Sequence, residues 1–121
     1  MKKILLVLLT AILLISCEKQ YLVPADEVPE WLKTRIAEIE DEIEANPKSG
    51  LNIGAWIRYE YNDQYYFEWH NLLSSSFPPI YDTDGDMMTY SWDSSDVYQK
   101  DKCCKEFIWK GPSWNDEYDG W

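Results

Sequence analysis

The chain has 121 residues, with 22 acidic against 11 basic side chains and a formal charge of −11, a balance that repels phosphate backbones and argues against nucleic acid as a partner. Seven Trp, nine Tyr and three Phe bring large buried area per residue, which suits one small domain and argues against disorder in its middle. Cations, basic proteins and uncharged ligands such as glycans are the partners this charge admits, although an acidic surface also simply keeps a protein soluble.

The chain opens on "MKKILLVLLTAILLIS", in which Lys2 and Lys3 precede an apolar run from Ile4 to Ile15 broken only by Thr10. That is the composition of a secretory leader. The run is shorter than the roughly 20 residues a membrane-spanning helix needs, so residues 1–16 are expected to be cut away. The next stretch, "LISC" at Leu14, Ile15, Ser16 and Cys17, resembles the lipobox of bacterial lipoproteins. This resemblance implies that Cys17 becomes the first mature residue, receives the lipid anchor and ties the protein to a membrane in the bacterial cell envelope. Anchoring by two or more acyl chains is effectively stable. Glu18 follows where an aspartate would favour the inner membrane, so the resemblance leans toward the outer one and leaves the face open. Removal of Lys2 and Lys3 with the leader takes the formal charge from −11 to −13.

Residues 17–27 read as a lipidated tether, because "EKQYLVPADE" has no period and contains Pro24. Residues 28–121 then form a single small domain. Pro29 suits a first helical turn, Trp31, Leu32, Ile36, Ile39 and Ile43 recur at helical spacing, and Pro47 ends the run. The other face of this helix is charged and solvated.

From Ile53 to His70 the period switches to two, which predicts a hairpin. A three-residue turn at Asn62, Asp63 and Gln64 sorts Ile57, Tyr59, Tyr61, Tyr65, Phe67 and Trp69 onto one face; a two-residue turn would set Ile57 against Glu68 and mix the faces. The three-residue turn is preferred because register follows the buried face. "NLLSSSFPP" is a loop. A second hairpin, Ile80 to Thr83 and Asp86 to Trp92, is predicted around Asp84-Gly85. "DSSDVYQKDK" reads as another loop, Cys103 to Lys110 as a strand, and Gly111-Pro112 as its end. The predicted class is α+β: one N-terminal helix packed on a four- or five-stranded antiparallel sheet of hairpins.

Several groups invite a chemical reading. Asp82, Asp84, Asp86 and Asp93 fall at positions one, three, five and twelve of an EF-hand-type calcium loop, but Met87 stands where its glycine belongs and Asp93 is shorter than the usual Glu. A hairpin turn is the expected reading, with no cofactor, and Ca2+ the alternative. Cys103 and Cys104 are neighbours, a structural pair either reduced or joined in a vicinal disulfide; they lack the spacer of a C-x-x-C and have no histidine or third cysteine in sequence reach. His70, the only histidine, sits in no recognisable catalytic elbow. Trp56 on the polar face of the first hairpin, with Trp109, Trp114, Tyr118 and Trp121 near the C-terminus, is a candidate binding surface, since flat rings beside carboxylates stack on sugars.

The segments "VPEWL", "YEYNDQYYF" and "IYDTDG" resemble small uncharacterised exported lipoproteins that join a Trp-Leu helix to aromatic hairpins; the resemblance implies no activity. A noncatalytic protein-binding or inhibitory module in the envelope is the expected role, with a glycan-binding module, and after it a small hydrolase, as alternatives. Its partner is an unknown envelope protein or a glycan.

Overall fold

A computed structural model describes residues 21–74, 77–88 and 92–117, residues 92–96 by their backbone only. Cys17, Tyr118 and Trp121 lie outside the described residues, and so does the side chain of Asp93.

Helix α1 spans Glu30–Ala45 behind Pro29, whose carbonyl accepts the first helical bonds, and it stops at Asn46 ahead of Pro47. Its stripe of Leu32, Ile36 and Ile39 is buried, with Ile43 partly so. A 3₁₀ turn at Gly50–Ile53 leads into β1 (Gly54–Tyr61) and β2 (Gln64–Asn71), followed by β3 (Ile80–Tyr81), helix α2 (Trp92–Asp101) and β4 (Cys103–Lys110). The strands form one antiparallel sheet in the order β3-β2-β1-β4. The α+β class expected from the sequence is the observed one, with α1 packed on a four-stranded antiparallel sheet.

The register of the first hairpin differs from expectation. Tyr61 pairs with Gln64 and Ile57 with Glu68, so the turn has two residues, Asn62 and Asp63, both at positive φ (51° and 61°). That is the backbone of the turn best matched to strand twist, and Asn and Asp tolerate it. The expectation failed on its premise of one apolar and one polar face. Six successive residues of β1, Gly54 to Tyr59, are buried, which requires cover on both sides. Trp56, Phe67, Ile108 and Trp109 join the core under α1. On the opposite face Tyr98 of α2 meets Tyr61 and Tyr66 edge-on, at ring distances of 5.3 and 5.8 Å.

The second hairpin is shorter than expected. Asp82 accepts from Gly85 N–H and donates to Asp86 O, and pairing beyond it is one bridge, Tyr81 to Met87. The loop is therefore Thr83–Gly85 with Gly85 alone at positive φ (88°), the three-residue hairpin in place of the two-residue one. The stretch expected to continue as strand and then loop instead enters α2 at Trp92. The helix escaped notice because Tyr98 is its one buried side chain among those described, too little to make a period.

Residues 21–23, expected to belong to a tether, pack on the domain. Val23 is buried, Tyr21 packs against the core, and Leu22 N–H bonds the carbonyl of Ile108 at the outer edge of β4.

The loop at Gly85 is docked on α1. Trp31 Nε1 donates to Thr83 O at 2.9 Å, and a β-carbon at Gly85 would stand 3.0 Å from the Trp31 ring. Gly85→Ala is expected to cost about 1–2 kcal/mol, since it adds a left-handed alanine to that crowding; a urea midpoint equal to that of the parent protein would refute the docking.

Candidate functional site

Among the described residues five places hold groups with chemical potential, and the register of β1 with β2 controls the first. Because Glu68 faces α2, its carboxylate is fully buried among three donors. His70 Nε2 donates to Oε1 at 2.8 Å, while the Tyr98 hydroxyl and Lys102 Nζ donate to Oε2 at 2.6 and 3.0 Å. His70 and Lys102 are themselves buried, with side-chain exposures of 3% and 6%. Burial alone would raise the Glu68 carboxyl, but the His70 bond, the charge of Lys102 and the bonds from Tyr98 and Lys102 outweigh it and hold the pKa below the ordinary glutamate value. Burial pushes the Lys102 ammonium below the usual lysine range against the pull of Glu68, with Lys105 adding to the depression. Lys102 also lies 4.0 Å over the Tyr59 ring. These groups have the composition of an acid–base site, yet both Glu68 oxygens, His70 Nε2, the Tyr98 hydroxyl and Lys102 Nζ are bonded to one another.

The opposite face holds a second buried charge. Arg58 donates to Glu106 at 2.8 Å and to Glu27 at 3.4 Å, and stacks 4.2 Å over Tyr65. Burial works against its charge, but Glu106 first, then Tyr65 and Glu27, leave its pKa raised.

Of the expected aromatic surface, two members are core. Trp56 is 3% exposed and Trp109 is 8%, because the observed register turns Trp56 toward α1. There its ring meets Trp31, Trp69 and Tyr81 at 5.9, 5.4 and 5.7 Å. Trp114 is half-buried and edge-on to Phe107 at 5.9 Å. One side of Trp109 does reach an open cavity of about 320 Å³ between the C-terminal half of α1 and the end of β4, lined also by Glu40, Ile43, Glu44, Lys110 and Pro112. The ammonium of Lys110 is engaged by Asp116 at 2.6 Å, and Glu44 at the rim is exposed.

Asp82, Asp84 and Asp86 come together on the loop below Trp31, with ligand atoms within 4.8 Å of one another. Asp82 Oδ1 accepts from the backbone N–H of Asp84 and of Asp86 at 2.9 and 3.0 Å, the bonding of a turn-forming aspartate. On the far edge Cys103 and Cys104 are joined in a disulfide and both are exposed.

Sequence reasoning missed the Glu68 cluster. The signal available was a glutamate and a histidine two apart on a strand, which share a face; their burial required knowing that α2 existed. Searches of family models, of curated proteins and of solved structures return no match for this chain. Among the described residues no helix is long and apolar enough to cross a membrane.

Glu68→Gln is expected to cost about 3–5 kcal/mol at neutral pH, because it leaves Lys102 buried without its counter-charge. A carboxyl with a depressed folded-state pKa stabilises the fold above its unfolded-state value and loses that contribution as pH falls through the folded one. The gap between parent and Glu68→Gln in urea unfolding should therefore narrow below the ordinary carboxylate range of about pH 4. A gap independent of pH would refute the charged pairing.

Proposed function

We propose that this is a lipid-anchored protein of the bacterial cell envelope, held by acylated Cys17 and facing from the outer membrane rather than the inner, and that it acts as a noncatalytic protein-binding or inhibitory module. The leader and "LISC" at Leu14–Cys17 support the anchoring. The observation that carries the noncatalytic reading is the closed state of the Glu68 cluster, where the histidine, carboxylate and amine suited to acid–base work are consumed in holding α2 and β4 to the sheet. Dispersed over the surface are apolar contacts. Leu22, Leu73, Phe77, Met87 and Val97 are 46–78% exposed on a chain of formal charge −11, which suits a partner with basic and apolar side chains.

The cavity beside Trp109 favours glycan binding as the second reading, since an aromatic wall with the exposed Glu44 offers both stacking and a hydrogen-bond acceptor.

Cys17→Ala is expected to remove the acyl mass and to release the protein from its membrane or mislocalise it; unchanged fractionation overturns the anchoring. For the second reading, a thermal-shift panel of small glycans is the measurement, because a ligand of the folded state raises its stability. A rise that vanishes in Glu44→Gln, an exposed position, would put glycan binding first, and a flat panel would remove it.

A further inference from the structure

Along part of their pairing β4 has one residue more than β1. Arg58 stands opposite Glu106 and Glu60 opposite Cys103, so Cys104 and Lys105 together face Tyr59 and form a bulge. Cys104 lies at φ 66°, in the left-handed region. Neighbouring side chains of a regular strand point to opposite faces; here the bulge cancels that alternation and brings both sulfurs to one side. Glu60 adds a third group. Its carboxylate and the two sulfurs offer ligand atoms that all lie within 4.8 Å of one another.

The bulge is held from both sides by contacts that do not involve sulfur. Before it, Lys102 is drawn inward by the buried carboxylate of Glu68 at 3.0 Å. After it, Glu106 is held by Arg58 at 2.8 Å. Between these anchors the chain is one residue too long for a regular ladder. On that ground a broken disulfide would leave two adjacent thiols on the side of Glu60, at an exposed edge.

We propose that Cys103, Cys104 and Glu60 form a binding site for a thiophilic divalent cation of the zinc class, available only when the disulfide is reduced. A dithiol reductant supplies the two electrons and two protons: its own thiols join as a disulfide, the Cys103–Cys104 bond breaks, and the protein gains two thiols. The cation then displaces both thiol protons to solvent. Two thiolates and one carboxylate occupy three positions of a tetrahedral zinc, at about 2.3 Å for sulfur and 2.0–2.2 Å for oxygen, and leave the fourth to water or a further ligand. Thiolate softness selects zinc over calcium or magnesium. The oxidised pair has no thiolate to offer, so the redox state gates the site.

The test is native mass spectrometry with zinc on the full-length Cys17→Ala protein in detergent, in which Cys103 and Cys104 are the remaining cysteines. It compares oxidised protein with protein reduced by a phosphine, and melting curves confirm that each sample is folded. The expected result is one zinc retained on the reduced form and none on the oxidised. It should be lost in the Cys103→Ser, Cys104→Ser double variant and weakened at least about tenfold in Glu60→Gln. Both cysteines are exposed, so the double variant is expected to melt as a folded protein. No zinc on the reduced form, equal zinc on both forms, or zinc retained by the double variant would overturn the site, the last placing the ion on Asp82, Asp84 and Asp86. Unchanged affinity in Glu60→Gln would remove the carboxylate from it.

Discussion

The carboxylate of Glu68, with no exposure to solvent, organises one face of this sheet. A buried charge is tolerated only with partners, and the three it has come from different parts of the chain. His70 belongs to the same strand, Tyr98 to α2, and Lys102 to the junction between α2 and β4. Satisfying one group therefore fixes where a helix lies and where the last strand begins. The bulge at Cys104 follows from the same constraint, because the start of β4 is tied to Glu68 while its middle is tied to Arg58.

The two faces solve the problem of a small core in different ways. Under α1 the solution is aromatic: Trp31, Trp56, Phe67, Trp69 and Tyr81 meet edge-on or tilted at ring distances of 5.4–5.9 Å, a geometry that adds to their large burial. Gly54 belongs to this arrangement, since the Trp69 ring occupies the place of its missing β-carbon. Under α2 the solution is polar, with tyrosines and Lys102 closing over Glu68. Both solutions draw side chains of chemical interest inward. What is left at the surface among the described residues is a cavity edged by Trp109, an acidic turn, dispersed apolar side chains and an exposed cysteine pair.

Much of the fold was legible in the sequence. The period of Leu32, Ile36 and Ile39 between Pro29 and Pro47 marks α1, and β4 runs over Cys103–Lys110 as its composition predicts. Helix α2 was not legible, because one buried tyrosine among its described side chains leaves no period. The candidate surface was legible only in part: Trp109 reaches a cavity, whereas Trp56 lies in the core, and the difference is a one-residue change in the turn at Asn62–Asp63 that sends every side chain of β2 to the other face.

The sequence by itself determined the elements whose signals are local: a proline-bounded amphipathic helix, the hairpin around Asn62–Asp63, and the strand that stops ahead of Gly111. It also determined that Cys103 and Cys104 would be neighbours. Tertiary structure alone decided that both faces of the sheet are covered, that Glu68 is buried with partners up to 34 residues away, and that Glu60 stands across from the cysteine pair. The physical reason is that burial and register depend on which segments meet, and a periodicity read within one segment carries no information about the segment that will cover it.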